Sequence, residues 1–240
     1  MIACIFHEGS GLGNQLHRYV AMRCLALDKD YEFGVINPQN FKGKDFMDLD
    51  MGVPVHDLLH EFNEKKVLNQ ANCDVRSYDG KIHDVLDFTL IDGEFQDERY
   101  FIHHLKQIRQ WLKVEPIESK NVINFRGGEY VGVKDLFLPQ EYWNISIDDS
   151  YEVHTDDPET ARRFFPNLKI ISDIGINWRS IRYAKNLILS NSSFAILPAI
   201  LNETVEKIVA PKYWAGYHKG YWQLPQNNYK KFKYIHHEDK

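Results

Sequence analysis

Apolar positions along the chain change period repeatedly. The run Ile2 to Phe6 is continuous and short, as in a buried strand, and meets the glycine turn Gly9-Ser-Gly-Leu-Gly-Asn14. Beyond it Leu16, Val20, Cys24 and Leu27 recur at the spacing of one helix face. This is a strand, glycine turn and helix opening of the Rossmann type, but Leu16 stands where a G-x-G-x-x-G fingerprint has its third glycine. Val35-Ile36 reads as a second strand, Val55 to Leu68 as a helix after Pro54, and Phe101 to Val114 as a helix with Leu105, Ile108 and Leu112 on one face.

Glu115-Pro116 stops that helix, and the polar run Glu118-Ser-Lys-Asn121 leads into a new strand, which sets a domain boundary near residue 118. Strands at 122–125, 151–154, 168–171, 187–189 and 208–209 then alternate with helices over Pro158–Phe165, Trp178–Ala184 and Ser193–Leu201. Such alternation predicts a parallel sheet. The expected molecule is a two-domain α/β protein, with Rossmann-like domains over 1–118 and 119–240 facing across a cleft. The aromatic and lysine-rich tail from Lys212, with Trp214, Tyr221 and Trp222, reads as a solvated tail or as an acceptor-binding surface.

Composition narrows the function classes. With 29 basic and 34 acidic residues the net charge is −5, so no global positive field exists for nucleic acid. Cys4, Cys24 and Cys73 form no C-x-x-C pair and predict buried, reduced thiols rather than a disulfide framework or zinc site. Adjacent pairs His103-His104 and His236-His237 do not share a helix face, and neither is expected to hold a metal. The amino-terminal apolar run is too short for a membrane anchor, and a cytoplasmic protein without an integral membrane segment is expected.

Five separated segments, in order over nearly the whole chain, resemble the bacterial α-1,2-fucosyltransferase family, glycosyltransferase family 11-like. They are Gly11-Leu-Gly-Asn-Gln-Leu16, Asp92-Gly-Glu-Phe-Gln-Asp-Glu-Arg-Tyr-Phe101, Asn124-Phe-Arg-Gly-Gly-Glu129, Thr155-Asp-Asp-Pro-Glu159 and Ser190-Asn-Ser-Ser-Phe194, the last followed by Val209-Ala-Pro-Lys212. The chain departs from the family pattern at Ser10 for glycine, Asn124 for histidine, Gly127 for arginine and Glu129 for aspartate. The resemblance implies a GT-B-like fold and inverting transfer of L-fucose from GDP-fucose to a hydroxyl of a glycan acceptor, with no metal ion or other cofactor. The alternatives are a transferase using a different nucleotide-sugar and a non-catalytic nucleotide-sugar or glycan-binding protein.

Residue chemistry suits such a transfer, because a departing nucleoside diphosphate needs cations or helix N-termini at its oxygens. Arg126 is the expected phosphate cation, and Asn191, Ser192 and Ser193, with Phe194, lie between a strand and a helix. Simple alternatives are a structural salt bridge for Arg126 and N-capping by Ser192 or Ser193. Asn14 is expected to bond the sugar or acceptor or to cap its helix. Gly13, Gln15 and Asn124 join the expected donor contacts, as do Asp156 and Asp157, for which helix capping is the alternative.

The family's acidic residue sixteen positions before the second serine is Asn177 here, the expected contact to the donor base, with Asp173 as the register-shifted alternative. Glu129 and Glu8 are the candidate bases for the acceptor hydroxyl. Asp48-Leu-Asp50 is a D-x-D triplet, but no strand leads into it, and metal ligation there is not expected.

Overall fold

A computed structural model describes residues 1–68, 74–133, 135–145, 147–213, 215–217, 229 and 231–235. Trp214, Tyr221, Trp222, His236, His237 and Cys73 of the sequence reading lie outside these residues. The chain divides into two compact units, Met1–Val114 and Glu115–Lys240. Each is an α/β unit around a parallel sheet.

In the amino-terminal unit, β1 (Ile2–Ile5) is followed by α1 (Leu12–Lys29), β2 (Phe33–Ile36), β3 (His60–Asn63), the antiparallel hairpin β4 (Lys66–Leu68) and β5 (Asp74–Arg76), β6 (Thr89–Asp92) and α2 (Leu105–Trp111). The sheet order is β2-β1-β6-β3, and every pair is parallel. Gly11 is the N-cap of α1, and the helix buries Leu16, Tyr19, Val20 and Cys24 beside the fully buried strand residues Ile2, Ala3 and Cys4. Leu27, expected on that face, is 49% exposed.

The helix expected over Val55–Leu68 is absent. Val55, Leu58, Leu59 and Phe62 have helical spacing, but β3 is an edge strand held by its ladder to β6, from His60 opposite Thr89 to Asn63 opposite Asp92. Leu59 beside it is 72% exposed, so backbone pairing overrides the local apolar period. At the end of β3, Glu64 is buried, and Oε2 accepts the N–H groups of Glu94 (2.7 Å) and Phe95 (2.9 Å). A Cβ on Gly93 would meet Glu64 Cβ at 2.5 Å, so this loop requires glycine. Burial raises the Glu64 pKa, against the two backbone hydrogen bonds. The helix expected over Phe101–Val114 begins as a 3₁₀ turn, Ile102–His104, before the seven residues of α2.

The carboxy-terminal unit follows the expected alternation closely. It comprises β7 (Asn121–Phe125), α3 (Gln140–Trp143), β8 (Tyr151–Thr155), α4 (Pro158–Phe164), β9 (Lys169–Ile171), α5 (Ile174–Arg182), β10 (Asn186–Leu189), α6 (Ser193–Leu201), β11 (Lys207–Pro211) and β12 (Lys233–Ile235). Caps explain the helix starts: Asp157 accepts from Thr160 N with Pro158 at the first helical position, and Asp173 accepts from Ile176 N. Phe125, Trp143 and Phe165 form an aromatic core with ring centroids 5.3–5.7 Å apart. Trp178 on α5 meets Phe194 on α6 at 5.7 Å.

The six parallel strands run β12-β11-β10-β7-β8-β9. Counted within the unit this is 6-5-4-1-2-3, the doubly wound order that reverses between its first and fourth strands. No helix among the described residues is long and apolar enough to cross a membrane.

Candidate functional site

The reversal places β7 beside β10, and the segments leaving their carboxyl ends are Arg126-Gly-Gly128 and Ser190-Asn-Ser-Ser193. Asn124 ties them together: its carbonyl accepts Ser190 N at 3.0 Å and its Oδ1 accepts Ser190 Oγ at 2.8 Å. Asn124 is buried and has a structural partner. Asn191 Nδ2 donates to the Leu136 carbonyl at 2.8 Å, which fixes the loop before α6. Ser192 is the N-cap by position, without a side-chain capping bond, and Ser193 begins the helix. Phe194 is half-buried against Trp178.

Arg126 bridges two carboxylates. Nη1 lies 2.5 Å from Asp156 Oδ2 and Nη2 2.8 Å from Glu129 Oε1, with the guanidinium carbon 5.3 Å from the Tyr130 ring centroid. Asp156 Oδ1 also accepts Gly127 N at 3.0 Å, so the side chain orients the loop as well as its cation. Glu129 is 73% exposed, which makes the Nη2 arm the exchangeable one. A Cβ on Gly127 would meet Asp157 Cβ at 2.6 Å, and Gly128 has φ +43°. The two glycines thus let the loop lie against Asp156 and Asp157, where a side chain at 127 would collide. Asp157 caps α4, and hydrogen bonds from the Thr160 side chain and backbone hold its carboxyl below the usual value.

Asn177 and Asp173 have inward or capping roles. Asn177 is buried, with Oδ1 2.9 Å from His154 Nδ1 and Nδ2 donating to the Thr155 carbonyl at 3.2 Å. The amide expected to meet a donor base is therefore already hydrogen-bonded within the unit.

The amino-terminal unit gathers a second polar group at the ends of β1 and β6. His7 Nε2 lies 3.1 Å from Asp92 Oδ1, and Arg18 Nε is 3.9 Å from the same oxygen. Arg18 Nε also donates to the Gly93 carbonyl, and its Nη1 donates to Ser10 Oγ at 3.3 Å. Asn14 does not cap α1; its Oδ1 accepts Gln96 Nε2 at 3.0 Å. Gln15 is fully buried and holds the loop after β2, donating to the Asn40 carbonyl and accepting Lys42 N. It is thereby a loop anchor rather than an exposed donor contact. Gly13 lends its carbonyl to His17 Nδ1 at 2.8 Å, and Glu8 is exposed on the glycine turn.

Sequence reading missed the His7–Asp92 pair. Its signal was present, because His7 follows the first strand and Asp92 begins the second quoted motif, but the two are 85 residues apart. The D-x-D residues lie outside regular structure: Asp50 accepts Gly52 N and is 3.6 Å from Arg23, while Asp48 is exposed.

No protein-family model and no curated protein matches the chain. Among solved structures, E. coli heptosyltransferase WaaC with ADP is similar over 90% of this chain and 88% of that one, at a TM-score of 0.43 and 10% sequence identity.

Proposed function

We propose that this chain is an inverting glycosyltransferase that moves a sugar from a nucleoside diphosphate donor to a glycan hydroxyl without a metal ion, and that the donor is GDP-fucose. The observation that carries the reading is the strand reversal at β7 and β10, the position where open α/β sheets take nucleotides. Both segments leaving that position, Arg126–Gly128 and Ser190–Ser193, belong to the fucosyltransferase-like motifs.

In this reading the carboxy-terminal unit binds the donor. Asp156 orients the guanidinium of Arg126, and phosphate oxygens displace the exposed carboxylate of Glu129 from Nη2. Asn191, Ser192, Ser193 and the first turn of α6 supply further donors to the departing diphosphate. The amino-terminal unit binds the acceptor, with Asn14 and the His7–Asp92 pair at the ends of its strands. Asp92 holds the His7 Nε2 proton, leaving Nδ1 as the basic nitrogen. The acceptor oxygen bonds to the anomeric carbon as the bond from that carbon to the phosphate oxygen breaks. The hydroxyl proton passes to His7 Nδ1, and the nucleoside diphosphate leaves.

A donor with another base is the second reading, favoured by the buried hydrogen bonds of Asn177. Thermal shift and product release with GDP-fucose, GDP-mannose, UDP-galactose and ADP-linked heptose separate the two. Fastest release of GDP from GDP-fucose is expected. Preference for a UDP- or ADP-linked donor removes GDP-fucose and keeps transfer, whereas no stabilisation and no hydrolysis with any donor overturns the transferase reading.

A further inference from the structure

Asp28 stands in the last turn of α1 and receives two consecutive histidines from the 3₁₀ turn before α2. His103 Nε2 lies 3.0 Å from Asp28 Oδ2, and His104 Nε2 lies 2.6 Å from Oδ1. The two rings are 4.3 Å apart at 50°, and one ligand atom from each of the three residues lies within 4.8 Å of the others. We infer that this cluster is a binding site for a divalent transition-metal ion of the zinc class, ligated by Asp28, His103 and His104, with the remaining position open to water.

Neighbouring histidines diverge by about 100° on an α-helix, so their spacing argues against a shared ligand. The 3₁₀ turn of residues 102–104 steps by about 120° and does not itself bring neighbours together. Both imidazoles nevertheless reach one carboxylate 75 and 76 residues away in sequence. Two imidazole nitrogens and a carboxylate oxygen are a donor set zinc takes readily. To bond the carboxylate, each neutral imidazole carries its proton on Nε2. To bind a divalent ion through Nε2, each ring shifts to the Nδ1–H tautomer, with Nε2 giving its proton to water as Nδ1 takes one up, and the two freed Nε2 lone pairs become ligands.

Zinc bonds of about 2.0–2.1 Å at tetrahedral angles separate ligand atoms by about 3.3–3.5 Å. The cluster must open to reach this, by about 0.3–0.5 Å at His103 and about 0.7–0.9 Å at His104, whose nitrogens meet different oxygens of Asp28 at 3.0 and 2.6 Å. His103 and Asp28 side chains are 41% and 32% exposed, which leaves them room to open. Electrostatics point the same way, because the carboxyl end of the 18-residue α1 is the negative end of its dipole. Among the described residues, the ion-pair partners of Asp28 are these two histidines, and the Lys29 ammonium is over the Tyr31 ring instead.

The site lies at the other end of α1 from the glycine turn. Sixteen residues separate Leu12 from Asp28, about 24 Å at 1.5 Å per residue. A metal there ties the end of α1 to the segment entering α2, and its role is structural. It is independent of the proposed transfer chemistry.

Tag-free full-length protein, stripped with chelator, is titrated with ZnCl₂ by calorimetry and with CoCl₂ by visible absorption. One zinc ion per chain with a dissociation constant of about 10 μM or tighter is expected. Asp28→Asn, His103→Gln and His104→Gln each weaken binding by at least about tenfold, and the double histidine variant abolishes it. Zinc raises the melting temperature of wild type but not of the double variant, while His236→Gln/His237→Gln retains the effect. Circular dichroism checks that the variants are folded. Wild-type binding weaker than about 10 μM overturns the site, as does zinc binding unchanged by the double substitution. The cobalt spectrum of wild type keeps the test decisive if a variant misfolds: absence of nitrogen-ligated cobalt bands also overturns it.

Discussion

His154 and Asn177 face each other inside the carboxy-terminal unit, with Nδ1 2.9 Å from Oδ1 and both residues buried. The other end of the Asn177 amide donates to the Thr155 carbonyl. Asn177→Asp sets a carboxylate oxygen against that carbonyl, and a loss of about 1–3 kcal/mol of stability at pH 8 is expected. Burial lowers the His154 pKa in wild type, whereas a carboxylate at 177 favours the imidazolium. The loss therefore shrinks as pH falls. Urea unfolding at pH 8 and pH 5.5 measures it, and a rise in GDP affinity relative to UDP and ADP would instead show that position 177 reaches the donor.

The two arms of Arg126 predict opposite effects of their carboxylates. Arg126→Ala lowers kcat for donor turnover by about 10²-fold or more, and Arg126→Lys recovers little because a point charge lacks the planar fork. Glu129→Gln frees Nη2 from an exposed pair, of the kind that contributes about 0.2–1 kcal/mol, and tightens donor binding by about two- to fivefold. Asp156→Asn lowers kcat, since it loosens both the guanidinium and the Gly127 N–H. Steady-state kinetics and donor titration check these signs, and tighter donor binding by Asp156→Asn would reverse the assignment of the arms.

His7→Gln is expected to lower kcat for transfer by about 10²–10⁴-fold while nucleotide affinity stays within the wild-type range. Asp92→Asn has a smaller effect, because it removes the group that orients the imidazole rather than the base itself. Transfer assays paired with nucleotide calorimetry test this, and a fully active His7→Gln enzyme removes the base from the mechanism.

His17 makes the amino-terminal unit acid-sensitive. It is fully buried, donates Nδ1–H to the Gly13 carbonyl, and burial lowers its pKa from 6.5 to about 4. Between these values the unfolded chain binds a proton that the folded chain does not, so this contribution to stability falls as pH falls from 6.5 towards 4. A shift of this size corresponds to about 3 kcal/mol. Denaturant unfolding of wild type and His17→Gln at pH 7 and pH 4.5 is expected to show the steeper acid loss in wild type, and equal losses would contradict it.

Donor turnover is expected to survive EDTA, since the proposed diphosphate contacts are a guanidinium and helix-end groups. Asp48→Ala/Asp50→Ala leaves the rate within about twofold, because Asp50 serves the Gly52 turn and Arg23. Loss of activity in chelator with rescue by Mn²⁺ would return those two residues to the donor site. The structural zinc site bears on stability, read separately by melting temperature.

Legibility differed between the halves for a physical reason. In the carboxy-terminal half, strands β7, β8 and β10 bury most of their residues, and helices begin at Asp157-Pro158, Asp173 and Ser192. Burial periods and caps are local signals, so these elements could be read within a few residues. In the amino-terminal half β3 is largely exposed, and its one apolar residue, Phe62, falls at helical spacing from Val55, Leu58 and Leu59 before the strand. Its conformation comes from hydrogen bonds to β6, which starts 26 residues after the last residue of β3.

The sequence by itself determined the α/β alternation, the glycine turn and the residue types available for phosphate and acid–base chemistry. Those follow from interactions over a few positions, namely helix and strand periods, capping and the steric freedom of glycine. Tertiary structure alone decided the partners: Asp156 for Arg126, His154 for Asn177, Asp92 for His7 and the two histidines for Asp28. Each of these pairs is separated by between 23 and 85 residues. Strand order and helix packing bring such groups within hydrogen-bond reach, and a side chain's charge, exposure and available lone pairs depend on that neighbour rather than on its own place in the chain.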